Sequence, residues 1–290
     1  MFSKKWIMTS TDDYSKQIKR LRCEIEETDA IVIGGGSGLS TSAGLTYSGK
    51  RFEENFSDFI TRYDLTNMYT GGFYPYQTAE EYWAYWSRYI YVNRYNKTTG
   101  QPYLDLLKIV KNKDYFVITT NVDHQFQIAG FDKNRIFCTQ GDYGLWQCSK
   151  PCHQKTYDNE MIVRRMVSEQ EDMKIPSELI PHCPICGRKM CVNLRIDNNF
   201  VEDEDWHFAA ENYSMYIQNH KNSRILFLEL GVGCNTPAII KYPFWRMTYL
   251  NPQAVYACIN LGEAHTAKEI EPRSICIDED IGKVLREIVA

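Results

Sequence analysis

The chain has 290 residues, of which 43% are hydrophobic and 24% charged, and a formal net charge of −4 from 33 basic and 37 acidic residues. A mildly acidic chain is poorly suited to neutralising the phosphates of a nucleic acid. An ordinary apolar fraction excludes disorder over most of the length, which suits one large domain with an inserted module or two small domains.

No apolar run approaches the roughly 18 to 20 residues that span a bilayer. The N-terminus turns polar at Asp12 and Asp13 without the apolar stretch of a signal peptide. The expectation is a cytoplasmic protein with no membrane and no nucleic-acid partner. In a reducing compartment its ten cysteines serve as metal ligands or core residues rather than disulfides.

In chain order, Asp12 and Asp13 are set to cap a helix with Ile18, Leu21 and Ile25 on one face, ending near Thr28 and Asp29. Ala30-Ile31-Val32-Ile33 then reads as a buried strand. A glycine-rich turn follows, Gly34-Gly35-Gly36-Ser37-Gly38-Leu39-Ser40-Thr41-Ser42-Ala43-Gly44-Leu45. Glycines there let the backbone approach a diphosphate, and the next helix offers it unpaired N–H groups. The strict G-x-G-x-x-G fingerprint fails, because Thr41 takes the third glycine's place. The stretch Gly44 to Arg51 is one residue short of a P-loop, and Arg51 has no hydroxyl for magnesium.

Residues 53–100 show no clear strand and are rich in aromatics. The spacing of Tyr82, Tyr85, Trp86 and Tyr89 is helical. A helical lobe whose aromatic face packs on the sheet is the expectation, with a partner- or substrate-facing aromatic surface as the alternative. Further apolar runs at 115–119, 135–138, 225–230, 254–259 and 274–277 read as strands, and 103–111 and 280–288 read as helices. This alternation predicts an α/β fold, a doubly wound parallel sheet.

The cysteines form two populations. Cys23, Cys138, Cys234, Cys258 and Cys276 are isolated, most of them inside or beside apolar runs, and read as small buried hydrophobes. Cys148, Cys152, Cys183 and Cys186 form C-x3-C, a gap of 30 residues and C-x2-C. Each close pair can give two thiolates to one tetrahedral zinc, and four sulfur ligands leave no open position, so the ion is structural. Cys191 is a substitute ligand; His153 and His182 read as bystanders.

Several of these blocks resemble the sirtuin family. Gly36 to Leu45 resembles its motif G-A-G-x-S-x-x-S-G-I, and Thr119-Thr120-Asn121-Val122-Asp123 resembles T-Q-N-I-D. Gln140-Gly141 stands where sirtuins carry H-G, just before the first zinc cysteine. Gly231-Val232-Gly233 resembles a later G-T-S turn, and Ile259-Asn260 resembles the I-N that touches the adenosine ribose. The resemblance implies a Rossmann-like NAD domain with a small zinc-binding plus helical lobe. It divides the chain into an NAD-binding domain (1–52, 101–147 and 223–290), a helical insertion (53–100) and a zinc-binding insertion (148–222).

By motif, Gly36, Ser37 and Gly38 are expected to face the phosphates, with Ser40, Gly44 and Leu45 in the same cofactor loop. Asn121, Val122, Asp123 and Gln140 are expected around the nicotinamide and its ribose. Gly231, Gly233, Asn235, Asn260, Leu261, Gly262 and Ile277 are expected on the adenosine side.

The departures from the motifs carry the function. In a sirtuin deacylase a histidine acts as general base after the acyl oxygen attacks C1′ of NAD. Gln140 stands in its place, and an amide takes no proton near neutral pH. His124 is a candidate stand-in. After the zinc site the sirtuin pattern L-R-P then V-x-F-G-E becomes Leu194-Arg195-Ile196-Asp197-Asn198-Asn199-Phe200-Val201-Glu202. Asn198 puts an amide where an aliphatic lysine stem passes, and Val201 lacks the freedom of the glycine it replaces.

The pattern is similar to macrodomain-linked microbial sirtuins, which are protein ADP-ribosyltransferases. The resemblance implies transfer of ADP-ribose from NAD to a lipoylated glycine-cleavage H-like carrier, with a macrodomain hydrolase reversing the mark. Asn121 would orient ribose or acceptor, Gln140 would bond a ribose hydroxyl, and Arg195 would steer an acidic substrate or stabilise charge. The alternatives are a residual protein-lysine deacylase and a non-catalytic sensor of NAD or ADP-ribose.

Overall fold

The protein is described by a computed structural model over residues 6–8, 14–96, 99–233 and 237–290, with 6–8 as backbone only. Asp12, Asp13, Cys234 and Asn235 lie outside the described residues.

Six strands form one parallel sheet in the order Ser274–Ile277, Val255–Ile259, Ile225–Leu230, Ala30–Gly35, Tyr115–Thr119 and Ile136–Cys138. The four inner strands are apolar runs because both faces are covered. Ile31 and Ile33 face a core built with the helices Tyr14–Glu27, Gln101–Val110 and Ile281–Val289, while Ala30 and Val32 face the opposite core under Lys241–Leu250 and Glu204–Asn219. From the strand Ala30–Gly35 the chain winds outward one way and then, from Ile225–Leu230, the other. This is the doubly wound Rossmann order, whose reversal lies between those two neighbours, paired up to Gly35 opposite Leu230.

The aromatic segment is helical, with helices Lys50–Tyr63, Met68–Gly72 and Ala79–Ile90. Thr78 caps the last of these, its hydroxyl accepting the Glu81 N–H at 3.2 Å. The helix runs into a π-turn, Tyr91–Tyr95. The expected packing on the parallel sheet is corrected here. Trp83, Tyr85, Trp86 and Tyr89 share a core with Trp146, on the strand that leads into the cysteine-bearing segment, and with Cys148, Val163, Met166 and Cys183 within it. Trp83 meets Trp146 edge to face, with ring centroids 5.2 Å apart. Periodicity shows which face is apolar but not what covers it. Among this segment's described large hydrophobic side chains, Tyr69 and Phe73 are the strongly exposed ones.

The cysteine-bearing segment adds a three-stranded antiparallel sheet, Tyr157–Asp158, Gly141–Cys148 and Met190–Leu194. Of the isolated cysteines, Cys258 and Cys276 are buried and Cys138 is half-buried. Cys23 departs from expectation: it is exposed and its thiol meets Glu27 at 3.1 Å. Among the described residues no helix is long and apolar enough to cross a membrane.

One charge pair sits wholly inside. Lys241 Nζ lies 2.6 Å from Glu229 Oε1, both side chains fully buried, and the Tyr256 hydroxyl donates to the other Glu229 oxygen at 2.5 Å. The pair ties the helix Lys241–Leu250 to the strand Ile225–Leu230, which leads into the crevice. Removing one partner leaves a buried charge without its counter-ion. Lys241→Met is expected to lower the unfolding free energy by about 3–5 kcal/mol in a denaturant titration. Adding Glu229→Gln, which keeps the Tyr256 bond, should restore a large part of that loss.

Candidate active site and metal centre

The crevice begins where three chain segments meet at the ends of the central strands. Gly36 N–H donates to the Leu230 carbonyl and Gly38 N–H to the Gly231 carbonyl, both at 2.9 Å. A Cβ on Gly36 would stand 2.4 Å from the Gly231 oxygen, and one on Gly38 would stand 2.7 Å from the Gly231 Cα. Gly231 itself has φ of +63°. Only glycines permit this contact. The first and third residues of the Gly36-Ser37-Gly38 turn therefore spend their N–H groups on the neighbouring turn. Ser37 is the exposed member of the three.

Over this turn lies a buried polar cluster. Asn121 Nδ2 donates to the Gly36 carbonyl at 2.9 Å and approaches Ser40 Oγ at 3.1 Å and the Tyr103 hydroxyl at 3.3 Å. Ser40 donates to Asp123 Oδ2 at 2.5 Å and lies 2.8 Å from the Tyr103 hydroxyl. Burial pushes the Asp123 carboxyl above its ordinary range, against the pull of the Ser40 and Gln125 bonds. Tyr103 has no motif around it. It sits on the apolar face of a helix, where its spacing reads as core.

Of the remaining candidates, Leu45 is buried and its N–H bonds the Ser40 carbonyl at 2.9 Å. Gly44, at φ +86°, has open space where a Cβ would stand. Val122 packs on the aromatic core. Asn260 Nδ2 donates to the Val232 carbonyl at 3.2 Å, joining the strand that ends at Ile259 to the Gly231 turn. Ile277 is buried. Gly262 N–H bonds Asp278 at 2.6 Å beside exposed Leu261, and among the described residues Glu263 Oε2 stands 3.8 Å from where a Cβ on Gly233 would be.

Gln140 is half-buried and its side chain has no partner among the described residues. Its carbonyl accepts the Arg195 N–H at 3.1 Å. Arg195, expected to steer an acidic substrate or stabilise charge, already has a carboxylate partner. Its guanidinium pairs with Glu202 at 2.5 Å and lies 4.2 Å over the Phe200 ring. With a carboxylate already in place, it braces the 195–203 loop.

A second polar group adjoins Gln140. Asp142 receives Arg94 Nε from the π-turn at 2.8 Å on one oxygen and His124 Nδ1 at 2.5 Å on the other. Burial pushes the Asp142 carboxyl up, but the His124 bond and the charges of His124 and Arg94 outweigh it and hold the group below its usual range. The stability this network contributes is therefore present near neutral pH and is lost as pH falls through the carboxylate range. His124 has φ of +65°, a left-handed conformation that costs a residue other than glycine on the order of 1 kcal/mol.

The four cysteines converge. The sulfurs of Cys148, Cys152, Cys183 and Cys186 all lie within 4.8 Å of one another, with 3.6 Å between Cys148 and Cys186 and 3.7 Å between Cys152 and Cys183. Bonds of about 2.3 Å to a tetrahedral zinc put ligand sulfurs about 3.8 Å apart, so the group fits the ion. Cys191 is not in the cluster, and burial raises its thiol to about 11. His153 Nδ1 lies 3.0 Å from Cys152 Sγ and its Nε2 2.9 Å from the Tyr157 hydroxyl, an outer position.

A doubly wound Rossmann sheet joined to a four-thiol module defines an α/β protein of sirtuin fold. Among solved structures, a Sir2 homologue in complex with NAD superposes with a TM-score of 0.62 at 16% identity, over 97% of this chain and 93% of that one. A Sir2 bound to an acetylated peptide gives 0.60 at 18% identity, over 93% and 96%. No protein-family model matches the sequence. A protein ADP-ribosyltransferase of Staphylococcus aureus is 42% identical over 98% of this chain and 91% of its own length. A Fusarium oxysporum protein described as a probable bifunctional ADP-ribose hydrolase/ADP-ribosyltransferase is 27% identical over 90% of this chain, which spans 46% of that protein. The chain belongs to the protein ADP-ribosyltransferase family.

Metal analysis of the purified protein is expected to find one zinc per chain, and Cys186→Ser to lose most of it. Because the thiols hold the core that contains Trp83 and Trp146, chelation should lower the melting temperature and shift tryptophan fluorescence together.

Proposed function

We propose that this protein cleaves NAD at the nicotinamide–ribose bond and transfers ADP-ribose to a protein acceptor. The single observation that carries the reading is a contrast inside one crevice. The Ser40–Asn121–Asp123–Tyr103 cluster is assembled over the glycine turn, while Gln140 brings an amide to the position from which sirtuins draw a proton acceptor. NAD would lie with its diphosphate against Gly36-Ser37-Gly38 and its adenosine toward Gly231, Asn260 and Gly262. Asn121 and Asp123 would bound the nicotinamide ribose. Gln140 can hydrogen-bond a ribose hydroxyl in either sense but takes no proton from it.

The acceptor in this reading is a lipoylated carrier of the glycine-cleavage H type, and a macrodomain hydrolase is the partner that removes the mark. Both rest on the resemblance to macrodomain-linked sirtuins. The Fusarium relative, whose description joins a hydrolase to a transferase, supports pairing the two activities.

The test incubates the purified protein with NAD and the carrier, lipoylated or not. Expected are nicotinamide release and one ADP-ribose added to the lipoylated carrier by intact-mass spectrometry. Asn121→Ala should cut transfer by about 10²-fold or more, the scale of a positioning or acid–base contact. No mass gain on either carrier counts against the acceptor. Acyl-lysine turnover by the unmodified protein would support a deacylase instead. Gln140→His should supply the missing base without creating deacylation, because Asn198 and Val201 still alter the groove.

A further inference from the structure

Beside the nucleotide crevice lies a cavity of about 700 Å³, walled by His124, Cys138, Gly141, Asp142, Asn193 and Trp206 among others. The two spaces share a wall. Asp123, bonded to Ser40 over the glycine turn, immediately precedes His124, and Gln140 immediately precedes Gly141 and Asp142. Asp142 also acts electrostatically on Asp123 through this wall.

His124 is unusually well placed on it. The imidazole is about a quarter exposed, with Nδ1 on the buried Asp142 carboxylate, which Arg94 holds from the other side. Nε2 has no partner among the described residues. A carboxylate on Nδ1 fixes the tautomer that leaves a lone pair on Nε2 and stabilises the imidazolium that forms when Nε2 takes a proton. Its left-handed backbone is retained at the start of the short helix Gln125–Ala129, as strained residues are at working sites.

We propose that His124 is the proton acceptor for the incoming nucleophile, held by Asp142 and Arg94, and that this cavity admits the acceptor group. The inference rests on the transferase reading. In the step, the acceptor's X–H bond breaks and its proton passes to His124 Nε2. The freed lone pair of X bonds C1′ of the ribose. The C1′–N bond breaks and its electron pair leaves on the nicotinamide nitrogen. The base lost at Gln140 served a ribose hydroxyl; this one serves the acceptor, from the other side of the wall.

The charged and titratable groups around the imidazole are Asp142 and Arg94, Asp123 behind it, and Cys138 on the edge strand, whose thiol burial raises to about 12. Lys133, Asp203 and Asp205 stand on the cavity rim. Cys138 thus stays a thiol near neutral pH.

The experiment compares the full chain with its His124→Asn variant, asparagine being tolerant of the left-handed backbone and able to donate to Asp142. Nicotinamide release from NAD is followed with water alone, with the lipoylated carrier and with sodium azide, and NAD affinity by calorimetry. Expected are a loss of about 10²-fold with water or carrier, unchanged NAD affinity, and recovery with azide, an anion with no proton to surrender. The rise of kcat/KM through the imidazole range should flatten in the variant. Undiminished transfer, a loss that azide leaves in place, or an unchanged pH profile would overturn the proposal. A wild-type protein inactive with all three nucleophiles would instead sink the transferase reading, and this inference with it.

Discussion

The crevice depends on one contact, the backbone of Gly36 and Gly38 against that of Gly231. Two turns that end neighbouring parallel strands touch at main-chain distance, and each donates or accepts across the gap. A methyl group on any of the three would stand within 2.4 to 2.7 Å of opposing backbone, so no rotamer change could relieve the clash. The third strand's loop is anchored on the same turn. Thr120 N–H and the Thr119 hydroxyl both donate to the Gly35 carbonyl, and Asn121 donates to that of Gly36. The polar cluster is thus positioned by backbone, not by long side chains, and loses little freedom when a ligand arrives.

The wall opposite is built differently. It is joined to the aromatic lobe through three phenols, with Tyr143 2.9 Å from the Tyr89 hydroxyl and 3.0 Å from that of Tyr47, and through Arg94 on Asp142. The π-turn is what turns Asn93 toward Arg51 and Arg94 toward Asp142 in successive residues. Arg51 in turn holds the loop after Gly44 through the Thr46 carbonyl. Since Cys148 and Cys183 are buried in the same core as Trp83 and Tyr89, a metal on the thiols braces the wall that carries Gly141 and Asp142. Its influence on the crevice is mechanical.

Much of the fold was legible because buried parallel strands are short apolar runs, and the six that form the sheet are all of that kind. The antiparallel strands were not. Gly141–Cys148 mixes glycine, aspartate and glutamine with aromatics and carries a register shift between Gly141 and Trp146, so no alternation survives. The helix Glu204–Asn219 is half-buried without a fully covered residue, which blurs its period. The cysteine centre was legible from spacing alone, since ligand pairs must be close in sequence to reach one ion. The Asp142 network was not, because its members come from three segments, and His124 stood out only by its neighbour Asp123. Arg195 kept its place in the motif while Glu202 and Phe200 occupied its charge and its face, something no pattern of residue types reveals.

An amide at position 140 changes what the crevice can complete rather than what it can begin. Severing a glycosidic C–N bond needs the ribose held and the leaving group free, and a residue that both donates and accepts hydrogen bonds can hold a ribose hydroxyl. Opening an acyl imidate needs that hydroxyl deprotonated, which an amide cannot do near neutral pH. Here the main chain of Gln140 is fixed by the Arg195 N–H, while its side chain is left without a protein partner among the described residues. Asp142, two residues further on, has its carboxylate engaged by His124 and Arg94. The arrangement is therefore self-consistent with glutamine: the Asp142 carboxylate is already shared by one imidazole and one guanidinium. In the proposed transfer the nucleophile enters beside His124, and no step has to pass back through the sugar.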